Sequence, residues 1–251
     1  MAPEVTALAV APVKGLRLSE AERVEIGPDG VEGDRAFLVV DGDRRLLLTT
    51  RTPRLLQVAA RLDADGTLTL IFPDGSEVAG CPEPGERATT AAYDGREIHG
   101  RLVRGAPAAA LSEHMGRPVM LLARDPSQRG ADDAPVTLMS TGSLNALAPA
   151  LGGEAPDPRR FRMTITAGPL EAWEEHGWGG RELAVGGAVL RVTEPVPRCA
   201  ATTFDPERGR RDVPTLKALA ELRGRRDVRF GVWCEVVSPG PVSVGDPLTL
   251  V

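Results

Sequence analysis

The sequence predicts a mainly β fold in which short strands close into barrels or sandwiches and only a few short helices interrupt them. Three observations carry that prediction. Apolar runs are brief and either alternate with polar residues or are rich in β-branched side chains, the pattern of half-buried strands. Asp-Gly and Gly-Gly dipeptides recur between them, suited to the positive φ angles of tight hairpins. Helical spacing of apolar residues is rare along the 251 residues.

In order along the chain, strands are expected over Val5 to Val13, Val24 to Ile26, Phe37 to Val40, Leu46 to Thr49, Val58 to Leu62 and Thr67 to Phe72. Asp29-Gly30, Asp41-Gly42, Asp65-Gly66 and Asp74-Gly75 supply the turns. Pro107 to Met115 reads as a short helix, with proline in its first turn and Gly116 to end it. A strand over Val119 to Ala123 follows. The polar stretch Arg124 to Ala134, rich in Asp, Gly and Pro, is expected to be a loop at a domain boundary.

Ser140 to Leu151 has helical spacing at Leu144, Leu147 and Leu151, but Pro149 should bend or shorten it. Further strands are expected over Phe161 to Ala167, Leu183 to Val185, Ala188 to Thr193, Phe230 to Val237 and Leu248 to Val251, with Gly186-Gly187 as a hairpin turn. The clearest helix is Thr215 to Arg223. Pro214 precedes it, Leu216, Leu219 and Leu222 form its apolar stripe, and Arg223-Gly224 suit its C-terminal end.

Composition narrows the function. Apolar residues make up 42% and charged residues 26%, and the formal charge is −5. That balance leaves no electrostatic footprint for nucleic acid, and a 4% aromatic content leaves few platforms for stacking bases. A small-molecule or protein partner is therefore expected. No apolar run approaches the ~20 residues that span a bilayer, and the N-terminus lacks a basic leader, so a cytoplasmic protein without a membrane partner is expected. Cys81, Cys199 and Cys234 are odd in number and widely spaced, which argues against a disulfide framework, a CxxC zinc site and a four-thiolate iron–sulfur cluster.

Cys199 follows Arg198 in Pro-Val-Pro-Arg-Cys, at the end of an apolar run. A neighbouring guanidinium favours the thiolate, the form that binds soft metals and attacks electrophiles, although a free cysteine is more commonly a small core hydrophobe. Cys234 alternates within a strand and reads as packing. Lys14, Arg35, Arg51 and the pair Ser140-Thr141 all flank turns or a helix start. Each alone is usually solvated, but together they are the residue types that hold phosphate: a point charge, planar guanidinium forks and hydroxyls near backbone N–H groups. His99, His114 and His176 are too dispersed for a metal cluster, and Glu174-Glu175 reads as a solvated edge. No nucleophile elbow, P-loop or dinucleotide fingerprint is present.

This combination resembles the MOSC proteins, the C-terminal domains of molybdenum-cofactor sulfurases and their stand-alone relatives, over nearly the whole chain. Pro12-Val13-Lys14, Gly33-Asp34-Arg35 and Thr50-Arg51-Thr52-Pro53-Arg54-Leu55 are similar to the N-terminal β-barrel of the amidoxime-reducing enzymes. Ser140-x-x-Ser143-Leu144, Arg160-Phe161-Arg162, Trp178, Arg198-Cys199, Thr202-Thr203-x-Asp205-Pro206, Leu216-Lys217 and Pro239-Gly240 through Val244-Gly245-Asp246 are similar to the MOSC domain itself. The resemblance implies a smaller N-terminal β-barrel over 1–123 packed on a MOSC β-barrel over 124–251, with a molybdenum–pterin cofactor in the cleft between. It assigns the metal thiolate to Cys199, and the grip on phosphate and pterin to Lys14, Arg35, Arg51, Ser140, Thr141 and Arg162, with Arg198 beside the thiol. One departure stands out: the amidoxime reducers read Arg-Phe-Arg-Pro-Asn where this chain reads Arg160-Phe161-Arg162-Met163-Thr164, which removes an amide from the cofactor's reach.

The expected activity is reduction of a small N-hydroxylated or N-oxide substrate. The chain ends at Val251 shortly after Gly245-Asp246, so electrons are expected from a separate ferredoxin or flavoprotein. Two alternatives stay open: sulfur transfer through a persulfide on Cys199, and a non-catalytic cofactor carrier.

Overall fold

Proline 12 has no backbone N–H, and at this point the chain leaves one sheet for another. In the computed structural model, which describes residues 2–126, 134–225 and 227–251, Glu4–Val10 pairs antiparallel with Ile165–Gly168 and with Ser19–Ala21. Val13–Lys14 instead runs parallel beside Phe37–Val40. Between them the Ala11 N–H donates to Asp34 Oδ1 at 2.7 Å. The single strand expected over Val5 to Val13 is therefore two strands in two sheets, because proline cannot continue the ladder.

The fold is mainly β, with three α-helices among the described residues. The largest sheet has eight strands in the order Leu248–Leu250, Glu182–Val185, Ala188–Pro197, Arg229–Ser238, Val136–Ser140, Ile165–Gly168, Glu4–Val10 and Ser19–Ala21. A five-stranded sheet runs Glu83–Ala91, Glu97–Arg104, Met120–Arg124, Phe37–Val40, Val13–Lys14. Two three-stranded sheets complete it: Gly240–Ser243 with Arg23–Gly27 and Gly30–Val31, and Ala59–Leu62 with Leu68–Ile71 and Glu77–Gly80. Sheets thus interleave along the sequence, since Glu4–Val10 and Arg23–Gly27 pair with Ile165–Gly168 and Gly240–Ser243 of the second half. The core follows suit. Val5, Leu8, Val24 and Ile26 pack with Val136, Leu190 and Val232, whereas Val13, Leu16, Phe37, Leu55, Leu70 and Leu121 form a second cluster. Among the described residues no helix is long and apolar enough to cross a membrane.

Tight hairpin turns form as expected at Asp65-Gly66 and Asp74-Gly75, whereas at Asp41-Gly42 the left-handed residue is Arg44, φ 62°, and Gly30 already lies in a strand. Gly66 and Gly75 adopt φ of 86° and 83°, and the Asp65 and Asp74 carboxylates accept the N–H groups of Thr67 and Ser76 at 2.9 and 3.0 Å. Leu46 to Thr49 departs from its expected strand: only Leu46 bridges to Val40, and the chain then turns as the N–H groups of Arg51 and Thr52 both bond the Leu48 carbonyl. Burial of Leu47 in the second cluster and Pro53 at the start of a 3-10 turn account for the change. The strand Glu83–Ala91 escapes a reading by hydrophobicity because it is an edge, charged and mostly exposed. Arg124 to Ala134 lies mostly outside the described residues. Pro149 divides its segment as expected, into the helix Thr141–Ala146 and a 3-10 turn Ala148–Leu151. The helix Thr215–Arg223 has its predicted bounds, but its buried face is Thr215, Ala218 and Leu219, while Leu222 is 46% exposed.

A third cluster joins Phe161 and Phe230, stacked with ring centroids 3.9 Å apart, to Leu147 and Leu219. Beside it Gly231 has φ of 66°, and a Cβ there would lie 2.5 Å from Met163 Cε and 2.6 Å from the Leu138 carbonyl. Gly231→Ala is expected to cost about 2–4 kcal/mol from backbone strain and overpacking. Chemical denaturation measures this, and a loss within experimental error of zero would contradict the packing described.

Candidate functional site

A cavity of about 560 Å³ is lined from both halves of the chain. Among the described residues its wall carries six cationic side chains, Lys14, Arg35, Arg124, Arg160, Arg162 and Arg198, against two acidic ones, Asp29 and Asp34. In a chain of net charge −5 this is a local inversion of sign, and inside a concave wall of low dielectric it attracts anions over several ångströms.

Cys199 lies on the same wall, delivered by the end of the strand Ala188–Pro197. Its backbone is extended, with φ −115° and ψ 179°, and it precedes the 3-10 turn Ala200–Thr203. That turn is pinned from below. The Thr202 hydroxyl bonds the Cys199 carbonyl at 3.2 Å and the buried Thr215 hydroxyl at 2.6 Å, which fastens the cysteine loop to the start of the helix Thr215–Arg223. The residue is exposed, so its sulfur is reachable. Cys234, by contrast, is fully buried and burial pushes its thiol up to about 12, which leaves it inert packing.

Arg198 is anchored by donors that neutral groups accept. Nε and Nη2 donate to the Phe230 carbonyl at 2.9 and 2.7 Å, Nη1 to the Phe161 carbonyl at 3.0 Å, and Nη2 also to Met163 Sδ at 2.6 Å. Burial lowers its pKa to about 9, with the Cys199 sulfur acting the other way, so it stays charged at neutral pH.

Arg35 and Arg162 both adopt left-handed backbone angles, φ 49° and 54°, which is uncommon outside glycine. Each is held by the other half of the chain. Arg35 Nη2 donates to the Arg162 carbonyl at 3.2 Å, Arg162 Nη1 donates to the Leu16 carbonyl at 2.9 Å, and Arg35 pairs with Asp34. Lys14 is half-buried two residues after the sheet crossing at Pro12. The sequence-predicted residues Cys199, Lys14, Arg35, Arg162 and Arg198 thus meet in one cavity.

The cavity also recruits Arg124 and Arg160, which residue-by-residue reading left aside. Arg160 is 7% exposed, grips Asp212 through two 2.7 Å bonds, and has a buried Nε without a partner. Its place in Arg160-Phe161-Arg162 was the available signal. Arg124 ends the strand Met120–Arg124, where nothing local marks it.

The structure places Arg51, Ser140 and Thr141 off this wall. Arg51 is exposed one residue beyond Thr50, which does line the cavity. Ser140 is buried and caps the helix Thr141–Ala146, accepting the Ser143 N–H at 3.0 Å. The hydroxyls of Ser140 and Ser143 meet Glu175 Oε2 at 2.8 and 2.9 Å, and Thr141 packs against Gly168. Glu175 corrects an expectation: it is 0% exposed rather than at a solvated edge, because Glu174–Trp178 forms a 3-10 turn that folds it beneath the helix cap.

Comparison with known proteins agrees with this architecture. Residues 125–249 match the MOSC domain family, and residues 2–117 match the MOSC N-terminal beta barrel domain. Human mitochondrial amidoxime-reducing component 1 is 26% identical over 274 residues, covering 95% of this chain and 79% of that protein. Human molybdenum cofactor sulfurase is 26% identical over 281 residues, covering 96% of this chain but 31% of its own length. The chain therefore spans about a third of the sulfurase. The crystal structure of the YuaD protein from Bacillus subtilis shares the fold, with a TM-score of 0.51 at 14% identity over 99% of this chain and 94% of that one.

Glu175 generates a pH signature. Burial raises its carboxyl above the ordinary 4.5, with the Ser143 and Ser140 hydroxyls opposing. The folded state then holds the proton more firmly than the unfolded one, so this group's stabilisation is present at acid pH and lost as pH rises through the raised value. Denaturation midpoints of wild type and Glu175→Gln should therefore diverge in that direction from about pH 4.5 upward. A difference that stays constant with pH would refute the raised carboxyl.

Proposed function

The chain belongs to the MOSC family, and from that premise we propose that it is a molybdenum-cofactor-binding oxidoreductase reducing small N-hydroxylated or N-oxide substrates. The single observation that carries the proposal is an exposed thiol, Cys199, on the wall of a cavity whose cations outnumber its acids six to two among the described residues.

The residues present fit such a cofactor. A cysteine thiolate is a soft ligand suited to molybdenum, guanidinium forks suit phosphate, and Asp29 offers an acceptor to the N–H edge of a pterin. The cavity is within the usual size of cofactor sites, about 300–1,000 Å³. Among the described residues no three His, Cys, Asp or Glu side chains cluster, so a group bringing its own further ligands suits Cys199. Lys14, Arg35, Arg162 and Arg198 would hold the cofactor, with Arg124 and Arg160 adding charge to the same wall. Ser140 and Thr141 would act one step behind, through the position of their helix.

When bound, the cofactor supplies two-electron removal of oxygen from nitrogen, with two protons leaving in the water formed. The chain's own part is binding and orientation. Thr202 and Thr215 fix the cysteine loop. Phe161, Met163, Val196 and Trp233 line the cavity with apolar surface that limits water. Three cysteines cannot hold a four-thiolate cluster, so we propose that a separate flavoprotein or ferredoxin delivers the electrons. Three free thiols in one chain suit a reducing compartment, and we propose the cytoplasm. For the domains we propose units 1–123 and 124–251, with Glu4–Val10 and Arg23–Gly27 of the first pairing with strands of the second.

The reachable sulfur also supports a second reading, in which Cys199 carries a persulfide and passes its outer sulfur to an acceptor. One preparation separates the two. Protein from a molybdenum-cofactor-competent host is expected to hold near-stoichiometric molybdenum, to reduce benzamidoxime with an artificial donor, and to lose at least roughly tenfold in bound metal as Cys199→Ser. Equal metal in both proteins, or none in either, overturns the reductase. An extra 32 Da on wild type that reductant removes, ~one sulfur atom, is what the persulfide reading requires.

A further inference from the structure

The main cavity does not end at its own rim. Leu48 and Tyr93 line it and also line a second hollow of about 380 Å³, whose remaining walls include Arg44, Arg45, Leu46 and Glu97. The two spaces are neighbours across those two shared side chains. Tyr93 is the chain's one tyrosine and is 64% exposed. It sits in a hairpin turn closed by the Ala92 N–H to the Arg96 carbonyl at 2.8 Å and the Gly95 N–H to the Ala92 carbonyl at 3.0 Å.

The other bank is a turn of equal definition. The Asp41 N–H bonds the Arg45 carbonyl at 3.0 Å, the Arg44 N–H bonds the Asp41 carbonyl at 2.9 Å, and Asp41 Oδ1 accepts the N–H groups of Asp43 and Arg45 at 3.0 and 2.9 Å. Two adjacent arginines are thereby presented on a fixed loop beside an apolar floor of Leu46 and Leu48. Their existing partners hold them weakly. Arg44 meets Glu86 at 2.8 Å and Arg45 meets Asp43 at 3.3 Å, but all four side chains are between 45% and 78% exposed, and such solvated pairs contribute little. An anion that reaches both guanidinium groups can compete with them, and its bonds are stronger where the stem beside it has displaced water.

Resting on the reductase reading, we propose that this second hollow is a subsite for the substrate's tail. The N-oxygenated head lies in the Cys199 cavity, an apolar stem passes between Leu48 and Tyr93, and a terminal carboxylate meets Arg44 and Arg45. The substrate class is an elongated acid rather than a compact neutral molecule.

Three probes test it: benzamidoxime, a benzamidoxime bearing a para carboxyalkyl chain, and the methyl ester of that acid. Each is titrated calorimetrically into the molybdenum-loaded protein without an electron donor, and kcat/KM is measured separately with one. The acid is expected to bind about tenfold tighter than its ester, a charge-assisted preference. Arg44→Gln/Arg45→Gln should reduce that acid-over-ester ratio to near one, and Tyr93→Ala should weaken acid and ester alike while circular dichroism reports an unchanged fold. Equal binding of acid and ester by wild type, or a ratio untouched in the double arginine variant, overturns the subsite. The two proposals fail separately: reduction of all three probes without acid preference sinks the subsite alone, whereas acid preference in binding with no turnover sinks the reductase and leaves the subsite standing.

Discussion

The cavity depends first on two arginines, Arg162 and Arg198, that are fixed by carbonyl oxygens, whereas Arg35 and Arg160 are also paired with Asp34 and Asp212. Arg198 spends its donors on the main chain of Phe161 and Phe230 and on a thioether, and Arg162 reaches the Leu16 carbonyl. A carbonyl orients a guanidinium without cancelling its charge, whereas a carboxylate does both. The wall therefore keeps a surplus of positive charge in fixed positions, which is the preorganisation an anionic ligand needs. The bonds of Arg35 and Arg162 also join segments 127 and 146 residues apart, so the charges are in place only when both halves of the chain have folded.

The crossing at Ala11-Pro12 makes that dependence mutual. The strand Glu4–Val10 before it belongs to the eight-stranded sheet and Val13–Lys14 just after it to the five-stranded sheet, before Ser19–Ala21 returns to the former. Asp34 holds the crossing from one side through the Ala11 N–H and holds Arg35 from the other. A perturbation of this carboxylate would loosen the sheet junction and the cavity wall together, a coupling that a simple stack of two sequential domains would lack.

Beneath the wall lie two polar clusters that support the site without entering it. The Thr202–Thr215 hydroxyl pair sets the height of the cysteine turn. Ser140, Ser143 and Glu175 close the start of the helix Thr141–Ala146 in a buried knot, where each hydroxyl has a partner. Buried polar groups persist only when they are satisfied, and here the satisfaction fixes local geometry.

Local patterns in the sequence determined the β class, the hairpin turns at Asp65-Gly66 and Asp74-Gly75, the bounds of the helix Thr215–Arg223 and the packing role of Cys234, because hydrophobic period and turn chemistry act over a few residues. The cysteine and the cations Lys14, Arg35, Arg162 and Arg198 were legible as a set only through their motifs, since no local rule links residues so far apart. Whether they meet was a tertiary matter. So was the diversion of Ser140 to Glu175, whose burial no neighbouring residue announces, and the arrival of Arg124 and Arg160 at the wall. Sequence spacing fixes which side chains share a strand or a helix face. Only the pairing of distant strands decides which faces enclose a common space, and that space is where the chemistry resides.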